Sequence, residues 1–336
     1  MVGLAKEARA RHGTLAASLT QERIVFGLTI VALAVFSLLL PGFFSRQNLL
    51  NLARNVSVLG IVATGLAIVV IGRGIDLSGT AIMAVGAAWA VTLSAGGTPE
   101  TLALLLGLGL VVLMGVANGL LVAFIEIPPI FVTLATGLLI FGIGQFVLIR
   151  TLIVHLPASA SFMPLLGQSK IAGVPIQILV AAVVMILAHL FLKYLRWGRF
   201  TFAQGDNIET ARLTGIKVRP LLVGQYVLAA VIAYVGGILL AGANPTFSIS
   251  VASAGMMYDV ILVVVLGGVS LGGGSGGMSS VLAGTLLIGT LINGMTIMDV
   301  SEQWQSLVKG FVLLLAIVLD SALHPRDEET TRQNDI

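Results

Sequence analysis

The chain has 336 residues, of which 57% are hydrophobic and only 10% charged, and its mean hydropathy is +1.05. A water-soluble protein of this length could not hide so much apolar surface, so lipid is the expected solvent. The 18 Lys and Arg against 15 Asp and Glu leave a formal charge of +3, too small to suggest nucleic acid, and the absence of cysteine excludes disulfides and thiolate chemistry. Forty glycines fit helices that approach one another closely inside a membrane, and four scattered histidines give no metal-ligand spacing.

The first 23 residues are polar and basic, with Lys6, Arg9, Arg11 and Arg23, and are expected to form a cytoplasmic tail. The apolar run from Ile24 ends in Pro41-Gly42 without a small-residue cleavage site, so it reads as a retained span and not a signal peptide. About twenty apolar residues cross a bilayer core. That length predicts spans at 24–40, 51–71, 78–95, 101–125, 130–150, 176–195, 221–241, 257–271, 278–298 and 305–321. The expected fold is therefore all-α and polytopic, with about ten transmembrane helices over 24–321. Both termini, the second a tail over 322–336, lie on the same side. Basic residues accumulate in cytoplasmic loops. The N-terminal cluster and the cluster from Arg196 to Arg219 place both on the cytoplasmic side, whereas Arg46 and Arg54 after the first span, and Arg150 and Lys170 in a long outer loop, run against that bias.

Between the second and third spans, Gly72 and Gly74 break one helix, and Asp76 or Ser78 is positioned to cap the next. An ionisable group this close to hydrocarbon faces the bundle interior or a partner, and Arg73 is the near candidate. Asn118 lies inside an apolar run and needs hydrogen-bond partners on neighbouring helices. Glu126, before Pro128-Pro129, belongs at the interface with its charge in water. Thr133, Thr136 and Gln145 are candidates for a polar path, although helix-packing hydroxyls are the more common reading of the threonines.

The loop at 196–220, RWGRFTFAQGDNIETARLTGIKVRP, gathers Arg196, Arg199, Arg212, Lys217 and Arg219 with Asp206 and Glu209. Asp206 suits an N-cap, Glu209 stands three positions later as in a capping box, and Gly215 suits a left-handed C-terminal position. These predict a short exposed helix over Asn207 to Thr214, with Ile208 and Ala211 on one side and Gly205 and Gly215 setting its ends. A capped helix held outside the membrane is a surface for docking. Further on, GGGSGG lacks the Gly-Lys-Ser/Thr of a phosphate loop and reads as a tight turn between helices.

Several separated stretches resemble the ribose-type permeases, the transmembrane subunits of bacterial ABC importers for monosaccharides. The loop matches that family at Gly198, Arg199, Ala203, Gly205, Asn207, Ala211, Gly215 and Ile216. A second stretch matches at Asn118, Gly119, Pro128, Phe131, Thr133, Leu134 and Thr136. A third matches at Asp259, Gly267, Gly268, Ser270, Leu271, Gly273, Gly274, Gly276, Gly284, Thr285, Asn293 and Gly294. The segment around Asp76 and Ser78 is similar but lacks one residue before Gly79 and has Arg73 where the family has glycine.

The resemblance implies that the 196–220 loop, through Gly205, Asp206, Asn207, Ile208, Glu209, Ala211, Arg212 and Gly215, sits in a cleft of a separate ATP-binding subunit. It implies a periplasmic sugar-binding protein, a second copy of the chain or a related permease, and a multi-pass location in the bacterial inner membrane. ATP and magnesium would be held by the ATPase, with no cofactor, metal or catalytic residue in this chain. Asp76, Ser78, Asn118, Thr133, Thr136, Gln145 and Asn293 are the candidates for the translocation path. Two other readings stay open: an ion-coupled secondary transporter, and an ABC permease for another small solute such as branched-chain amino acids.

Overall fold

The computed structural model describes residues 21–252 and 254–323, so most of both expected tails lies outside the described residues. The chain is mostly helical. In order come α1 (Gln21–Leu39), α2 (Arg46–Ile71), α3 (Gly79–Ala95), α4 (Glu100–Ala123) and α5 (Pro129–Ile143), which continues into a π-helical turn at Gly144–Ile149. A surface segment follows, made of β1 (Ile153–His155), the short helix α6 (Phe162–Gln168), β2 (Lys170–Ile171) and β3 (Val174–Pro175). Then come α7 (Ile176–Tyr194), α8 (Arg196–Asp206), α9 (Ile208–Leu213) and α10 (Val218–Ala243). The last elements are β4 (Thr246–Ser248), α11 (Ala254–Gly267), α12 (Met278–Ile297) and α13 (Glu302–Leu323).

Among the described residues, seven helices are long and apolar enough to cross a membrane: α1, α2, α4, α5 with its π-turn, α7, α10 and α12. Helix α3 and the apolar part of α11 are shorter. Helix α2 starts earlier than its apolar run suggests, because the Ser45 hydroxyl accepts from the Asn48 amide at 3.3 Å and caps it. Arg46 is therefore a helical residue and not part of the loop before the expected span, within which Arg54 already falls.

From Val56 to Ile71, α2 is buried on every side, as a helix apolar all round must be. It packs against α7, α10, α11 and α12. Helix α10 is the second hub, set against α2, α3, α4 and α6. Its contact with α4 depends on Gly119, where an added Cβ would come 2.6 Å from the Val223 Cα. The outer helices invert the soluble pattern. Ile30 and Leu38 of α1, Leu105 and Leu113 of α4 and Leu138 of α5 all face outward, a surface suited to lipid or to another apolar helix and not to water.

The two ends of the bundle differ. At one end α8 meets the end of α2, which also meets the turn before α12, and Arg219 at the start of α10 pairs with Glu126 in the turn between α4 and α5. At the other, β1 pairs antiparallel with β4, Val154 opposite Phe247, and Glu100 accepts from the amides of Ser161, Phe162 and Met163. Strands of two or three residues are too short for a sequence period to reveal.

Candidate functional site

Helix α2 ends at Gly72, whose amide donates to the Ile68 carbonyl at 3.3 Å. Arg73 then takes a left-handed φ of 68° and the chain stays unwound as far as Ser78. In this break Asp76 accepts from the Ser78 amide at 2.9 Å and from the Ser78 hydroxyl at 2.6 Å. Ser78 Oγ in turn accepts from Asn118 Nδ2 of α4 at 2.7 Å. Thr133 Oγ1 of α5 lies 3.1 Å from the Ile75 carbonyl oxygen, and the Tyr226 hydroxyl of α10 lies 3.4 Å from the same atom. Asp76, Ser78, Asn118 and Thr133 are all buried, so segments distant in sequence supply one enclosed polar cluster at a helix break.

The expected Arg73–Asp76 ion pair is absent among the described residues. Arg73 sits in a left-handed turn, and Ser78 supplies the donors to Asp76 instead. Thr136 lies beside the cluster, its hydroxyl 3.4 Å from the Thr133 carbonyl oxygen. The two remaining candidates lie elsewhere. Gln145 is half-buried in the π-turn. Asn293 exchanges amide hydrogen bonds with Asn48 at 3.0 and 3.2 Å, at the far end of α2. The residues from Asn48 to Ile71 span about 35 Å of helix at 1.5 Å per residue.

The loop after α7 folds into two helices, and its caps differ from expectation. Asp206 remains the last residue of α8, because the Asn207 amide still donates to the Ala203 carbonyl at 3.2 Å. Asn207 is the extended residue, φ −152° and ψ 109°, and its side chain accepts from the Thr210 amide at 2.8 Å as the N-cap of α9. Glu209 therefore closes no capping box and pairs with Arg212 at 2.8 Å in solvent. The C-terminal end matches expectation: Gly215 has φ 85°, its amide donates to the Arg212 carbonyl at 3.0 Å, and the Ile216 amide donates to the Ala211 carbonyl at 3.1 Å. That pair of bonds is a Schellman motif.

Burial decides which side of α9 is on offer. Ala211 is only 3% exposed and faces the protein itself, and Ile208 is half-buried, while Leu213 at the tip is 89% exposed. Gly205 does not set an end of α9. It lies inside α8, where a Cβ would collide with the Ile71 carbonyl oxygen and the Gly274 amide. Beside it, Gln204 donates to the Gly72 carbonyl at 2.7 Å and Gly274 donates to the Ile71 carbonyl at 2.9 Å. Gln225 of α10 backs this joint, its Nε2 donating to Thr201 Oγ1 at 3.2 Å and to Gln204 Oε1 at 3.5 Å. The end of the most buried helix is thus held jointly by α8 and by the glycine-rich turn before α12.

A cleft of about 880 Å³ opens between this end of α2, the Glu126–Pro129 turn and α9. At its rim Arg219 binds Glu126 at 2.7 Å, and the hydrogen bond and charge of that guanidinium hold the exposed carboxyl below its ordinary range. Sequence reasoning missed Gln204, Gln225 and Leu213. The signal for Gln204 was slight: an amide three residues after Thr201 and next to a glycine.

The chain matches the family described as branched-chain amino acid transport system / permease component over residues 48–317. It is 35% identical to the ribose import permease protein RbsC of Bacillus subtilis (strain 168) over 300 residues, covering 88% of this chain and 90% of that protein. It is 31% identical to the ribose import permease protein RbsC of Escherichia coli (strain K12), covering 93% and 96%. With the fructose import permease protein FrcC of Rhizobium meliloti the identity is 32%, covering 87% and 82%. No solved structure matches. An enclosed polar break in a buried helix, clasped by an exposed two-helix loop, therefore sits in a chain that belongs to the branched-chain amino acid transport system / permease component family, a permease of the ABC import type.

Proposed function

We propose that the chain is the membrane-spanning permease of an ATP-driven importer that carries a monosaccharide or related polyol across the bacterial inner membrane. The observation that carries this reading is the joint between α8 and α2: Gln204 and Gly205 lie directly on the Gly72 and Ile71 carbonyls, so work done on the loop by another subunit reaches the helix break. The sugar class rests on relatives named as ribose, fructose and galactose/methyl galactoside import permeases. An ion-coupled transporter is disfavoured because Asp76 is already engaged by the Ser78 amide and hydroxyl.

In this reading α9 and its neighbours dock into a separate ATPase, which binds ATP and magnesium, and this chain contributes no catalytic group. A periplasmic binding protein delivers the solute to the opposite end, and a second permease, identical or related, completes the pore. The seven long helices are joined by α3, α11 and α13 to make ten crossings over 24–321, with the 196–220 loop and both tails, 1–23 and 322–336, in the cytoplasm. Supporting that sidedness, Gln21 donates to the Val265 carbonyl at 3.2 Å and Ser279 to Glu22 at 3.0 Å, which puts the start of α1 at the loop end.

Co-expression with a binding protein and ATPase encoded beside it, purification of the complex, and mass spectrometry of the ligand on the binding protein test the whole reading. Reporter fusions at Gly205 and Ser250 test the sidedness. Cytoplasmic signal at Gly205 and periplasmic signal at Ser250 are expected, and the reverse overturns the topology and the docking role together.

A further inference from the structure

Helix α8 has a second side, turned away from the end of α2. Leu195 is extended, φ −81° and ψ 145°, and separates α8 from α7. Gly198, Thr201, Gln204 and Gly205 are buried and recur at three- or four-residue spacing, so one face of α8 is turned into the protein. Arg196, Arg199 and Phe200 are exposed, as are Lys193 and Tyr194 at the end of α7, and Trp197 is 53% exposed. The Lys193 ammonium lies 5.4 Å from the Tyr194 ring centroid. Lys193, Arg196 and Arg199 form no ion pair among the described residues, and no Asp or Glu occurs over 176–205. The next acid along the chain is Asp206, about two helical turns beyond Arg199.

The apolar flank beside these cations is continuous with α7. Val183, Ile186, Leu187 and Leu190 all face outward on that helix, which is long and apolar enough to cross a bilayer. Trp197 fixes the depth at which the flank ends, because a Cβ added to Gly224 of α10 would come 2.7 Å from its ring. Gly224 lies about 9 Å along α10 from Val218, at 1.5 Å per residue. The indole therefore stands just inside the end of a helix long enough to span. Outward apolar residues, then Tyr194 and Trp197, then the charges of Lys193, Arg196 and Arg199 follow the order of a membrane from hydrocarbon to headgroup.

We propose that the exposed side of α8, with Lys193 at the end of α7, binds the phosphate headgroups of anionic phospholipids, while Tyr194, Trp197 and Phe200 sit among the adjoining acyl chains. Three cations without a counter-charge favour a lipid of net negative charge over a zwitterionic one, whose phosphate is offset by its own ammonium. Guanidinium groups suit that phosphate, since their forked donors match two of its oxygens at once. The same helix holds the end of α2 through Gln204 and Gly205. Headgroups on its outer side thus give the α8–α2 joint a fixed footing at the membrane surface. The lipid site rests on α7 crossing the bilayer and not on the importer reading.

The test uses the full chain with Trp89→Phe and Trp304→Phe, which leaves Trp197 as its only tryptophan. It is reconstituted in vesicles of phosphatidylcholine and phosphatidylglycerol, one or the other brominated on the acyl chain near the headgroup, and Trp197 emission is read. Brominated phosphatidylglycerol is expected to quench at a lower mole fraction than brominated phosphatidylcholine. That preference should fall about fivefold for each of Arg196→Gln and Arg199→Gln, while Arg199→Lys keeps it. Native mass spectrometry of the chain with all its tryptophans, counting retained phosphatidylglycerol, repeats the comparison. Equal quenching by both lipids, or a double variant that retains as much phosphatidylglycerol as the wild type, overturns the site. Adding the ATPase should leave the quenching in place, and its loss would assign this face to the ATPase. If the chain binds no ATPase yet keeps its preference for phosphatidylglycerol, the lipid site stands and the importer reading fails.

Discussion

Gln204 donates from Nε2 to the Gly72 carbonyl oxygen across 2.7 Å, joining residues 132 apart in sequence and tying the exposed loop to the end of the buried helix. Replacing Gln204 by Leu leaves that carbonyl buried without this donor, at a cost of about 1–3 kcal/mol. The expected outcome is a complex that assembles and hydrolyses ATP but responds weakly to its loaded binding protein. ATPase rates of the reconstituted complex with and without binding protein check this. Full stimulation in Gln204→Leu would show that the bond transmits nothing.

Leu213 and Ala211 make opposite predictions although they lie two positions apart. Leu213 is exposed on the tip of α9, so Leu213→Asp should leave thermal stability unchanged and weaken retention of the ATPase on co-purification. Ala211 is buried against the protein itself, so Ala211→Trp overpacks the loop, costing about 1–3 kcal/mol, and loses the ATPase only through distortion. Retention of the ATPase by Leu213→Asp would move the docking surface elsewhere on the loop.

Gly215 closes α9 at φ 85°, with open space where a Cβ would stand. The penalty for Gly215→Val is therefore conformational and not steric, about 1–2 kcal/mol for a left-handed L-residue. Gly215→Asn, which tolerates that region better, should recover most of it. Protease susceptibility of the loop in purified protein distinguishes the two variants.

Asp76 stands first in a chain that runs through Ser78 to Asn118. Asp76→Ala removes the acceptor for both Ser78 bonds and should lower uptake sharply, whereas Asp76→Asn keeps an acceptor oxygen and should lower it less. Uptake rates normalised to membrane-inserted protein separate these outcomes. Equal, normal rates in both variants would reduce the break to packing.

The Glu126–Arg219 pair carries a sign that can be worked out. Its guanidinium depresses the folded-state pKa of Glu126, so the contribution is present above the ordinary carboxylate value and is lost as pH falls through the lower one. Both side chains are exposed, so the pair is worth little in itself. Glu126→Gln should leave stability at neutral pH almost unchanged and remove this small loss in acid. Thermal unfolding of both proteins across an acid series checks it.

Seven of the ten expected spans were legible as long apolar helices, because a bilayer demands a length of apolar residues that a single stretch either has or lacks. The Schellman turn at Gly215 was legible for a similar reason, since its requirement falls on one residue. The N-cap was one position off, because Asp206 and Asn207 both have capping side chains and only the backbone path, helical at one and extended at the other, chooses between them. What Asp76 and Gln204 touch lay beyond the sequence altogether. Ser78 was near, but Asn118 and Gly72 come from helices that packing alone brings into reach. Composition and period act along the chain and decide which segments enter the membrane. Hydrogen bonds between those segments depend on which faces meet, and that follows from glycine-permitted close approach and the burial of α2, properties of the assembled bundle.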